Sequence, residues 1–251
     1  MLALIRSEAT KISTARSSWI LILVTVIGTW LMSWTNAASS AGLPPDSDLL
    51  FSTVPVPLAY TGFDMATFGH PLIVAFAALW AGSEYGSGQQ IRTTLLATPK
   101  RGRVFLVKIG LLALTCAVSA TLTMSGGIMI SHAAGDSPLT PWTLTPEIWG
   151  LIGGLSLAWT LSGVISFAIG TLARSAIIPL ILIVPLSIGL GDFLAQIWSG
   201  ARYLPTAAGA ALYSDPATGI FLPPAAGALV LLAWAATLTT AAGITFARRD
   251  Q

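Results

Sequence analysis

Long apolar stretches separated by short polar segments dominate the pattern of this chain. Six of these stretches contain no Asp, Glu, Lys or Arg, and they cover residues 17–45, 65–83, 109–135, 148–173, 175–191 and 216–247. About 20 consecutive apolar residues are enough for a helix to cross the hydrocarbon core of a bilayer. The pattern therefore predicts an all-α polytopic membrane protein with six transmembrane helices, at Ser18–Thr35, Met65–Ser83, Val104–Ser131, Ile148–Leu172, Ala176–Ile197 and Pro224–Phe246.

Two of the predicted spans contain residues that disturb a regular helix. Gly69, His70 and Pro71 interrupt the start of the second span. Pro179 and Pro185 lie inside the fifth span, where each removes a backbone hydrogen-bond donor. We therefore expect the fifth helix to be kinked.

The composition agrees with a membrane protein and excludes several other classes. Hydrophobic residues make up 54% of the chain and charged residues only 9%, whereas a soluble domain carries about 25% charged residues. The net charge of +2 is too small to indicate a nucleic-acid partner. Because Cys116 is the only cysteine, the chain can form neither an internal disulfide nor a thiolate metal site.

The distribution of the charges predicts an orientation in the membrane. If the chain crosses six times, the N-terminus, the 84–103 loop with Lys108, the turn at Arg174 and the C-terminus share one side, and they hold eleven of the twelve Lys and Arg residues. The opposite side holds seven of the ten acidic residues, namely Asp46, Asp48, Asp64, Asp136, Glu147, Asp192 and Asp215. Since basic residues concentrate in cytoplasmic loops, both termini are predicted to lie in the cytoplasm.

Residues 1–17, before the first span, have a pattern of their own. Leu2, Ile5, Ala9 and Ile12 recur at helical spacing, and polar residues lie largely on the other side. This pattern predicts a short amphipathic interfacial helix on the cytoplasmic leaflet. A solvated basic tail is the alternative interpretation.

The cytoplasmic loop at 84–103 is the segment that is most informative about function. Gly86 and Gly88 permit a sharp turn as the chain leaves the bilayer. The residues after them suffice for about two and a half turns of helix, with Ile91 and Leu95 on one face. A short amphipathic helix of this kind suits docking into a groove of a cytoplasmic partner.

The end of the same loop is basic. Pro99 ends the predicted helix, and Lys100, Arg101 and Arg103 follow it. These charges suit anionic lipid headgroups, so a loop that merely obeys the positive-inside rule is the alternative. The apolar residues inside the loop favour docking over this alternative.

The predicted spans offer little catalytic or ion-coupling chemistry. The two histidines of the chain, His70 and His132, are far apart in the sequence and have no metal-ligand spacing. No predicted span has a charged residue at its centre, which disfavours coupling to protons or sodium. Lys108 is close enough to the start of its helix for its ammonium group to reach the cytoplasmic interface. We therefore predict no catalytic residue and no metal site.

Short motifs in the loop and in a later segment point to a known family. The loop contains Glu84-Tyr85, Gly88, Ile91-Arg92-Thr93-Thr94-Leu95 and Pro99-Lys100-Arg101. Between the fifth and sixth spans the chain reads Tyr203-Leu204-Pro205 and Ala207-Ala208-Gly209. Together with six spans in 251 residues, these motifs resemble the permease subunits of ATP-binding-cassette (ABC) transporters of the type-2 exporter family.

The resemblance implies a single permease domain over residues 1–251 and a division of labour between subunits. Two permease chains face each other, as a homodimer or a heterodimer, and a separate ABC ATPase subunit carries ATP and Mg²⁺. The sequence contains no Gly-x-x-x-x-Gly-Lys-Ser/Thr motif that cradles phosphates, so this chain is expected to bind no cofactor and to have no ATPase site. The resemblance also implies a multi-pass protein of the bacterial cell membrane.

Roles for individual residues follow from the resemblance as well. Contact with the ATPase is expected on the coupling helix, at Gln89, Ile91, Arg92, Thr94, Leu95, Pro99 and Arg101. A gate or hinge is expected at Glu84, Tyr85, Gly86 and Gly88. Glu84 would pair with Arg92, and the alternative for Glu84 is an ordinary carboxylate at the end of a helix.

The outer segment and the cargo leave alternatives open. Residues 192–223 are broken into pieces too short to span, which fits either a re-entrant helical hairpin or an ordinary extracellular loop. Trp159, Trp234 and Phe167 are candidates for an apolar substrate path, although buried aromatic residues more often only pack. By resemblance, the cargo is a small amphipathic molecule such as a hydrophobic peptide, antibiotic or drug. An ion-coupled secondary transporter and a non-transporting membrane scaffold are the alternative functions.

Overall fold

The computed structural model describes residues 2–42, 57–85, 101–135, 138–140 and 142–248, and within these ranges the chain is helical and has no β-strand. The α-helices of the described residues are α1 (Leu2–Thr14), α2 (Arg16–Leu23), α3 (Thr29–Ser40), α4 (Ala66–Ser83), α5 (Arg101–Ala134), α6 (Pro146–Ala173), α7 (Ile177–Pro185), α8 (Gly191–Ile197), α9 (Pro205–Ala210) and α10 (Pro224–Arg248). Shorter 3-10 turns lie at Leu58–Tyr60, Phe63–Met65, Ser199–Tyr203 and Pro216–Thr218.

These elements combine into six apolar segments that are long enough to cross a membrane. They run over Arg16–Ser40, Leu58–Ser83, Arg101–Ala134, Pro146–Ala173, Ile177–Ile197 and Pro224–Arg248. The predicted all-α polytopic membrane protein with six spans is therefore confirmed. The longest helix, α5, has 34 residues, which corresponds to roughly 51 Å at 1.5 Å per residue. This exceeds a hydrocarbon core of about 30 Å, so α5 is long enough to extend beyond the core by several helical turns.

Helix α6 forms the centre of the bundle. It packs against α4, α5 and α10, and its Leu155 and Trp159 side chains are fully buried. Gly163 lets α5 approach closely, because a methyl group at this position would lie 2.9 Å from the Sγ atom of Cys116. Small residues thus set the distance between neighbouring helices, as is common in membranes.

Two π-helical segments lie within the first and fifth spans. Val24–Gly28 joins α2 to α3, and Leu186–Leu190 joins α7 to α8. The second segment directly follows Pro185, and its Gly189 has a φ of 117°, which side chains other than glycine rarely tolerate. The predicted kink of the fifth span is confirmed. In contrast, α4 continues through Pro71 without a break.

The predicted N-terminal helix is present as α1, but its inward face differs from the expected one. Ala9, which was expected on the apolar face, is exposed, whereas Glu8 is completely buried. Leu4 and Ile12 pack against the main core on either side of Glu8. The inward face is therefore rotated by part of a turn, and it buries a carboxylate together with apolar residues.

The chain between α8 and α10 lies beside the helices of the bundle. All six residues of α9 are buried, and a methyl group on Gly209 would lie 3.3 Å from Ala158 of α6. The indole nitrogen of Trp234 donates a hydrogen bond to the carbonyl oxygen of Tyr203 at 2.8 Å. Trp234 lies ten residues beyond the start of α10 at Pro224, which corresponds to roughly 15 Å along that helix. The segment therefore contacts α10 well inside that helix, several turns after its start at Pro224.

Basic residues gather at one end of the bundle. This end comprises α1, the end of α4, the start of α5, the turn at Arg174 between α6 and α7, and the end of α10. The guanidinium group of Arg101 at the start of α5 donates to the carbonyl oxygen of Ala247 near the end of α10, at 3.4 Å. We refer to this end of the bundle as the basic end and to the other as the opposite end.

Candidate functional site

Four charged side chains from three helical regions meet inside the basic end. They are Glu8 and Lys11 of α1, Glu84 at the end of α4, and Lys108 of α5, and we call them the ion cluster. The Nζ atom of Lys108 donates to Glu8 Oε2 and to Glu84 Oε1, both at 2.6 Å. Lys108 is 1% exposed, Glu8 0% and Glu84 3%. Such short, buried and charge-assisted hydrogen bonds are the strong ones in proteins.

Lys11 completes the ion cluster from its more open side. Its Nζ atom donates to Glu8 Oε1 at 2.9 Å and to Glu84 Oε1 at 3.4 Å. Two carboxylates therefore face two ammonium groups, and the cluster as a whole is neutral. Because an unpaired buried charge is very costly, this balance is what allows the cluster to be buried.

The electrostatic surroundings keep the residues of α1 charged. Burial alone raises the pKa of Glu8, but the ammonium groups of Lys108 and Lys11 outweigh burial, and the net effect lowers the pKa. For Lys11, burial lowers the pKa, but the hydrogen bond and the charge of Glu8 together with the charge of Glu84 raise it on balance. Both groups are therefore ionised at neutral pH.

Local structure explains how the four side chains reach one point. Glu8 and Lys11 are three residues apart on α1 and so share one face of that helix. Glu84 occupies the C-cap position of α4, and Lys108 lies seven residues after the start of α5 at Arg101. That distance is roughly 10 Å of helix, so the lysine lies two turns inside α5.

The expectation that the Lys108 ammonium group extends to the membrane interface was wrong. The group instead bonds to Glu8 and Glu84 and is almost completely buried. The physical reason is that α1 packs against α5 and places the Glu8 carboxylate beside Lys108. The ammonium group is therefore paired inside the protein and does not have to extend to the interface. The hypothesised partner of Glu84, Arg92, lies outside the described residues, and the described partners of Glu84 are Lys108 and Lys11.

The gate or hinge candidate Tyr85 contacts the turn between α6 and α7. The guanidinium group of Arg174 lies over the Tyr85 ring, 6.0 Å from its centroid, within the range of a cation–π contact. Arg174 caps α6 in a left-handed conformation with a φ of 51°. The end of α4 approaches the same turn closely, since a methyl group on Gly82 would lie 2.6 Å from Cβ of Ala176.

The ion cluster and these contacts lie at the two ends of the predicted coupling loop. Glu84 and Tyr85 are the first two residues of the loop at 84–103, and Arg101 lies near its end. Each of the three contacts another helical element of the basic end. The remaining candidates for ATPase contact and for the hinge lie outside the described residues, and they are Gly86, Gly88, Gln89, Ile91, Arg92, Thr94, Leu95 and Pro99.

Of the substrate-path candidates, Phe167 belongs to an aromatic cluster that extends toward the basic end. Its ring lies 5.9 Å from the Trp80 ring in an edge-on arrangement and 6.4 Å from the Phe105 ring. Phe105 in turn lies 5.6 Å from Phe246 near the end of α10. The cluster joins α4, α5, α6 and α10 through apolar contact, and Phe167 is 2% exposed.

The two tryptophan candidates have different surroundings. Trp159 is completely buried and stacks on His70 with ring centroids 5.9 Å apart. A methyl group on Gly69 would lie 2.3 Å from the Trp159 ring, so glycine is needed for this contact. Trp234 is 40% exposed, and its indole nitrogen is bonded to Tyr203. The role of the two side chains in a substrate path stays a prediction.

Metal binding has no support from the geometry of the described chain. Over the described ranges, no three side chains of the types His, Cys, Asp and Glu come together in a group that could hold a metal ion. The ion cluster itself contains two lysines, and the ammonium group of each donates to both carboxylates. Its arrangement suits holding helices together and passing a displacement from one helix to the next.

Six apolar helices that are long enough to span a membrane, with an ion cluster at the ends of a basic loop, define a polytopic membrane protein. The chain belongs to the ABC-2 transporter family, because the family model described as ABC-2 family transporter protein matches residues 4–189. This match includes α1 from Leu4 onward, the ion cluster and the predicted coupling loop. Among curated proteins, no sequence matches the chain. The family is a membrane component of ABC transporters without an ATPase site of its own and implies association with an ABC ATPase.

The sequence contained a partial signal for the ion cluster. Glu8 interrupts the polar and apolar pattern of residues 1–17 with an acid beside Lys11, and Lys108 is a charge set among apolar residues. Neither feature identifies its partner, because Glu8 and Lys108 are separated by 100 positions in the sequence. Sequence reasoning singled out Glu84 as functional but left Glu8 without a role.

Proposed function

We propose that the chain is the membrane-spanning subunit of an ATP-driven exporter that moves small amphipathic cargo, such as a hydrophobic peptide, antibiotic or drug, out of the cell. A separate ABC ATPase subunit binds ATP and Mg²⁺, and two permease chains form the path. The basic end faces the cytoplasm of a bacterial cell, in keeping with the distribution of Lys and Arg. Membership of the ABC-2 transporter family supports this proposal.

The ion cluster at the ends of the loop is the observation that supports a mechanism in which the loop moves the helices. Glu84 is the first residue of the loop at 84–103, and its carboxylate bonds to Lys108 of α5 and lies 3.4 Å from Lys11 of α1. A displacement of the loop by the ATPase would therefore move the end of α4, the start of α5 and α1 together. Rigid-body movement of packed helices is a common way to convert a local push into a change of global state.

The large exposed apolar surface of three spans supports the pairing of two permease chains. The spans Arg16–Ser40, Ile177–Ile197 and Pro224–Arg248 bury only 22% of their most apolar windows inside this chain. Their remaining apolar surface is available to lipid and to a second permease chain. The segment between α8 and α10, packed beside α6 and α10, would act as a re-entrant cap over the opposite end of the path between the chains.

The direct test is whether the predicted coupling helix is needed for binding of the ATPase. We expect the double variant Ile91→Asp and Leu95→Asp to abolish co-purification with the ATPase, because two carboxylates on the apolar face of the coupling helix cannot enter an apolar groove without a large desolvation cost. The matched control Ile91→Val with Leu95→Met keeps the face apolar and should co-purify normally. Co-purification of both variants to the same extent would exclude this helix as the docking element.

The role of Glu84 requires a transport measurement in reconstituted vesicles. Glu84→Gln should lower the transport rate per ATP hydrolysed, whereas Glu147→Gln at the exposed start of α6 should leave it unchanged. Equal coupling ratios for the two variants would remove the ion cluster from the mechanism. Transport that continues with ATP depleted and a proton gradient present would favour the ion-coupled secondary transporter. Absence of any ATPase partner and of transport would favour the scaffold.

A further inference from the structure

The fifth span consists of two helices that are attached to different parts of the molecule. Helix α7 is held at the basic end, where it packs against α4 and α6. A methyl group on Gly82 of α4 would lie 2.8 Å from the backbone nitrogen of Ala176, directly before α7. A methyl group on Gly170 of α6 would lie 3.6 Å from Cγ of Pro179. The start of α7 is therefore in close contact with the ends of α4 and α6.

Helix α8 is held instead by the segment between α8 and α10. A methyl group on Gly191 of α8 would lie 2.5 Å from the hydroxyl oxygen of Thr206 in α9. Ala195 of α8 packs in an apolar cluster with Ala201 and Ala207. The same segment packs against α6 and α10 through α9. A displacement of the end of α4 therefore acts on α7, whereas α8 is held by contacts of the outer segment.

The junction between α7 and α8 departs from a helical backbone at one residue. Gly189 lies inside Leu186–Leu190 and has a φ of 117° and a ψ of −10°, outside the helical region. Pro185, directly before this segment, has no backbone N–H to donate. A methyl group on Gly189 would meet nothing within 4 Å beyond its own helix in the described chain. Packing on that side therefore does not restrain a change of its dihedral angles, which is the property of a hinge residue.

The other π-helical segment, Val24–Gly28 in the first span, provides a comparison within the same chain. The residues that flank it, Leu23 and Thr29, have helical φ and ψ, and none of its own residues has a positive φ. A methyl group on Gly28 would lie 2.8 Å from the Phe68 ring. This junction is therefore regular and closely packed. Of the two junctions, the one in the fifth span has the properties of a hinge.

From these observations we propose that the fifth span is a hinged helix with its hinge at Gly189. When the coupling loop is displaced, α7 moves with the end of α4, and the contact between Tyr85 and Arg174 transmits the same displacement to the turn before α7. Helix α8 stays with the outer segment, so the angle between α7 and α8 changes. The hinge thus lets the basic end change shape while the opposite end stays closed. The source of the displacement rests on the proposed function, whereas the hinge is a property of this chain.

The test measures the distance between two spin labels on either side of the hinge by double electron–electron resonance. Ile181→Cys in α7 and Ile197→Cys in α8 replace exposed side chains, and Cys116→Ala removes the native thiol. The control pair, Leu106→Cys with Leu122→Cys, is also exposed, has the same separation of 16 residues and lies in the uninterrupted helix α5. Both pairs are measured in lipid nanodiscs, in the chain alone and in its complex with the ATPase, without nucleotide and with ATP and vanadate.

Two results are expected for the pair across the hinge. In the chain alone its distance distribution should be broader than that of the control pair, because the hinge samples more than one angle. In the complex, ATP and vanadate should shift the distance by about 2–4 Å, since each arm is roughly 12 Å long and a rotation of about 30° acts on both. Equal widths without a shift overturn the hinge. A broad distribution without a shift by nucleotide leaves the hinge in place and contradicts the ATP-driven mechanism of the proposed function.

Substitution of the hinge residue gives a second measurement. A β-carbon is unfavourable at this φ, so Gly189→Ala should lower the population of the observed conformation about tenfold. It should narrow the distance distribution and lower the transport rate per ATP hydrolysed, whereas Gly150→Ala, at an open position of α6, should change neither. Gly189→Asn, which tolerates a positive φ better, should lie closer to wild type. A wild-type distribution and wild-type transport in Gly189→Ala overturn the assignment, and the wild-type label pairs decide the proposal if this variant does not fold.

Discussion

Replacement of Lys108 by methionine tests whether the ion cluster holds the basic end together. Methionine has a similar length and no charge, so Glu8 and Glu84 would be left with Lys11 as their one described counter-charge. Removal of one partner from a buried ion pair costs about 3–5 kcal/mol, because the remaining charge is neither solvated nor paired. The two hydrogen bonds of 2.6 Å and the near-complete burial of Lys108 place this site at the buried extreme.

The chain contains its own reporter for the measurement. Cys116 is the only cysteine and is 0% exposed, so a maleimide dye that fluoresces on reaction with a thiol reports unfolding in detergent. A change of 1 kcal/mol shifts the Tm of a chain of this size by about 2–4 °C. We therefore expect Lys108→Met to lower the Tm by about 6–20 °C.

Two further variants separate charge imbalance from loss of packing. Lys11→Met removes a lysine whose side chain is 25% exposed, and partly exposed pairs contribute about 0–1 kcal/mol. Its Tm should fall by less than about 4 °C. Adding Glu84→Gln to Lys108→Met leaves one acid and one base, Glu8 with Lys11, and should recover most of the lost stability. A Tm of Lys108→Met close to wild type, or no recovery in the double variant, would refute the reasoning.

The remaining predictions concern pH, helix contacts and the segment before α10. Because the pKa of Glu8 is lowered from 4.5, the unfolded chain takes up a proton before the folded chain does; the Tm should therefore fall as the pH drops below 4.5 and should not respond to this group at higher pH. A methyl group on Gly154 would lie 2.4 Å from a backbone carbonyl oxygen, whereas Gly150 has open space. Gly154→Ala should thus destabilise by about 1–3 kcal/mol, while Gly150→Ala should stabilise by up to about 1 kcal/mol; the reverse order in thermal melts would contradict the packing. Trp234→Phe removes the hydrogen bond to Tyr203 and should cost about 0.5–1.5 kcal/mol, with faster hydrogen exchange at α9, and unchanged exchange would disconnect the two.

The spans could be predicted from the sequence because the bilayer imposes a simple length and polarity requirement on each helix. The predicted and observed ends of the fourth span, Ile148–Leu172 and Pro146–Ala173, agree within two residues. The kink after Pro185 was also predictable, because proline acts on the backbone locally. Features that depend on one residue and its immediate neighbours are therefore accessible from the sequence alone.

The ion cluster could not be predicted in the same way. The position of a charge at the end of a span permits two outcomes, extension to the interface or pairing inside the protein, and tertiary packing decides between them. For Lys108, the deciding element is α1, whose Glu8 occupies the inward face. The contact between Tyr85 and Arg174 is likewise invisible in the sequence, since it depends on how α4 meets the turn between α6 and α7.

The long separation of Glu8 and Lys108 along the chain has a consequence for biogenesis. Glu8 leaves the ribosome before the first span is inserted, but its buried partner follows 100 positions later, with the third span. Until then, α1 carries an exposed carboxylate and cannot take its final place. Docking of α1 is therefore a late step of membrane insertion, and a ribosome-bound chain truncated before Lys108 should leave the N-terminal helix accessible to protease.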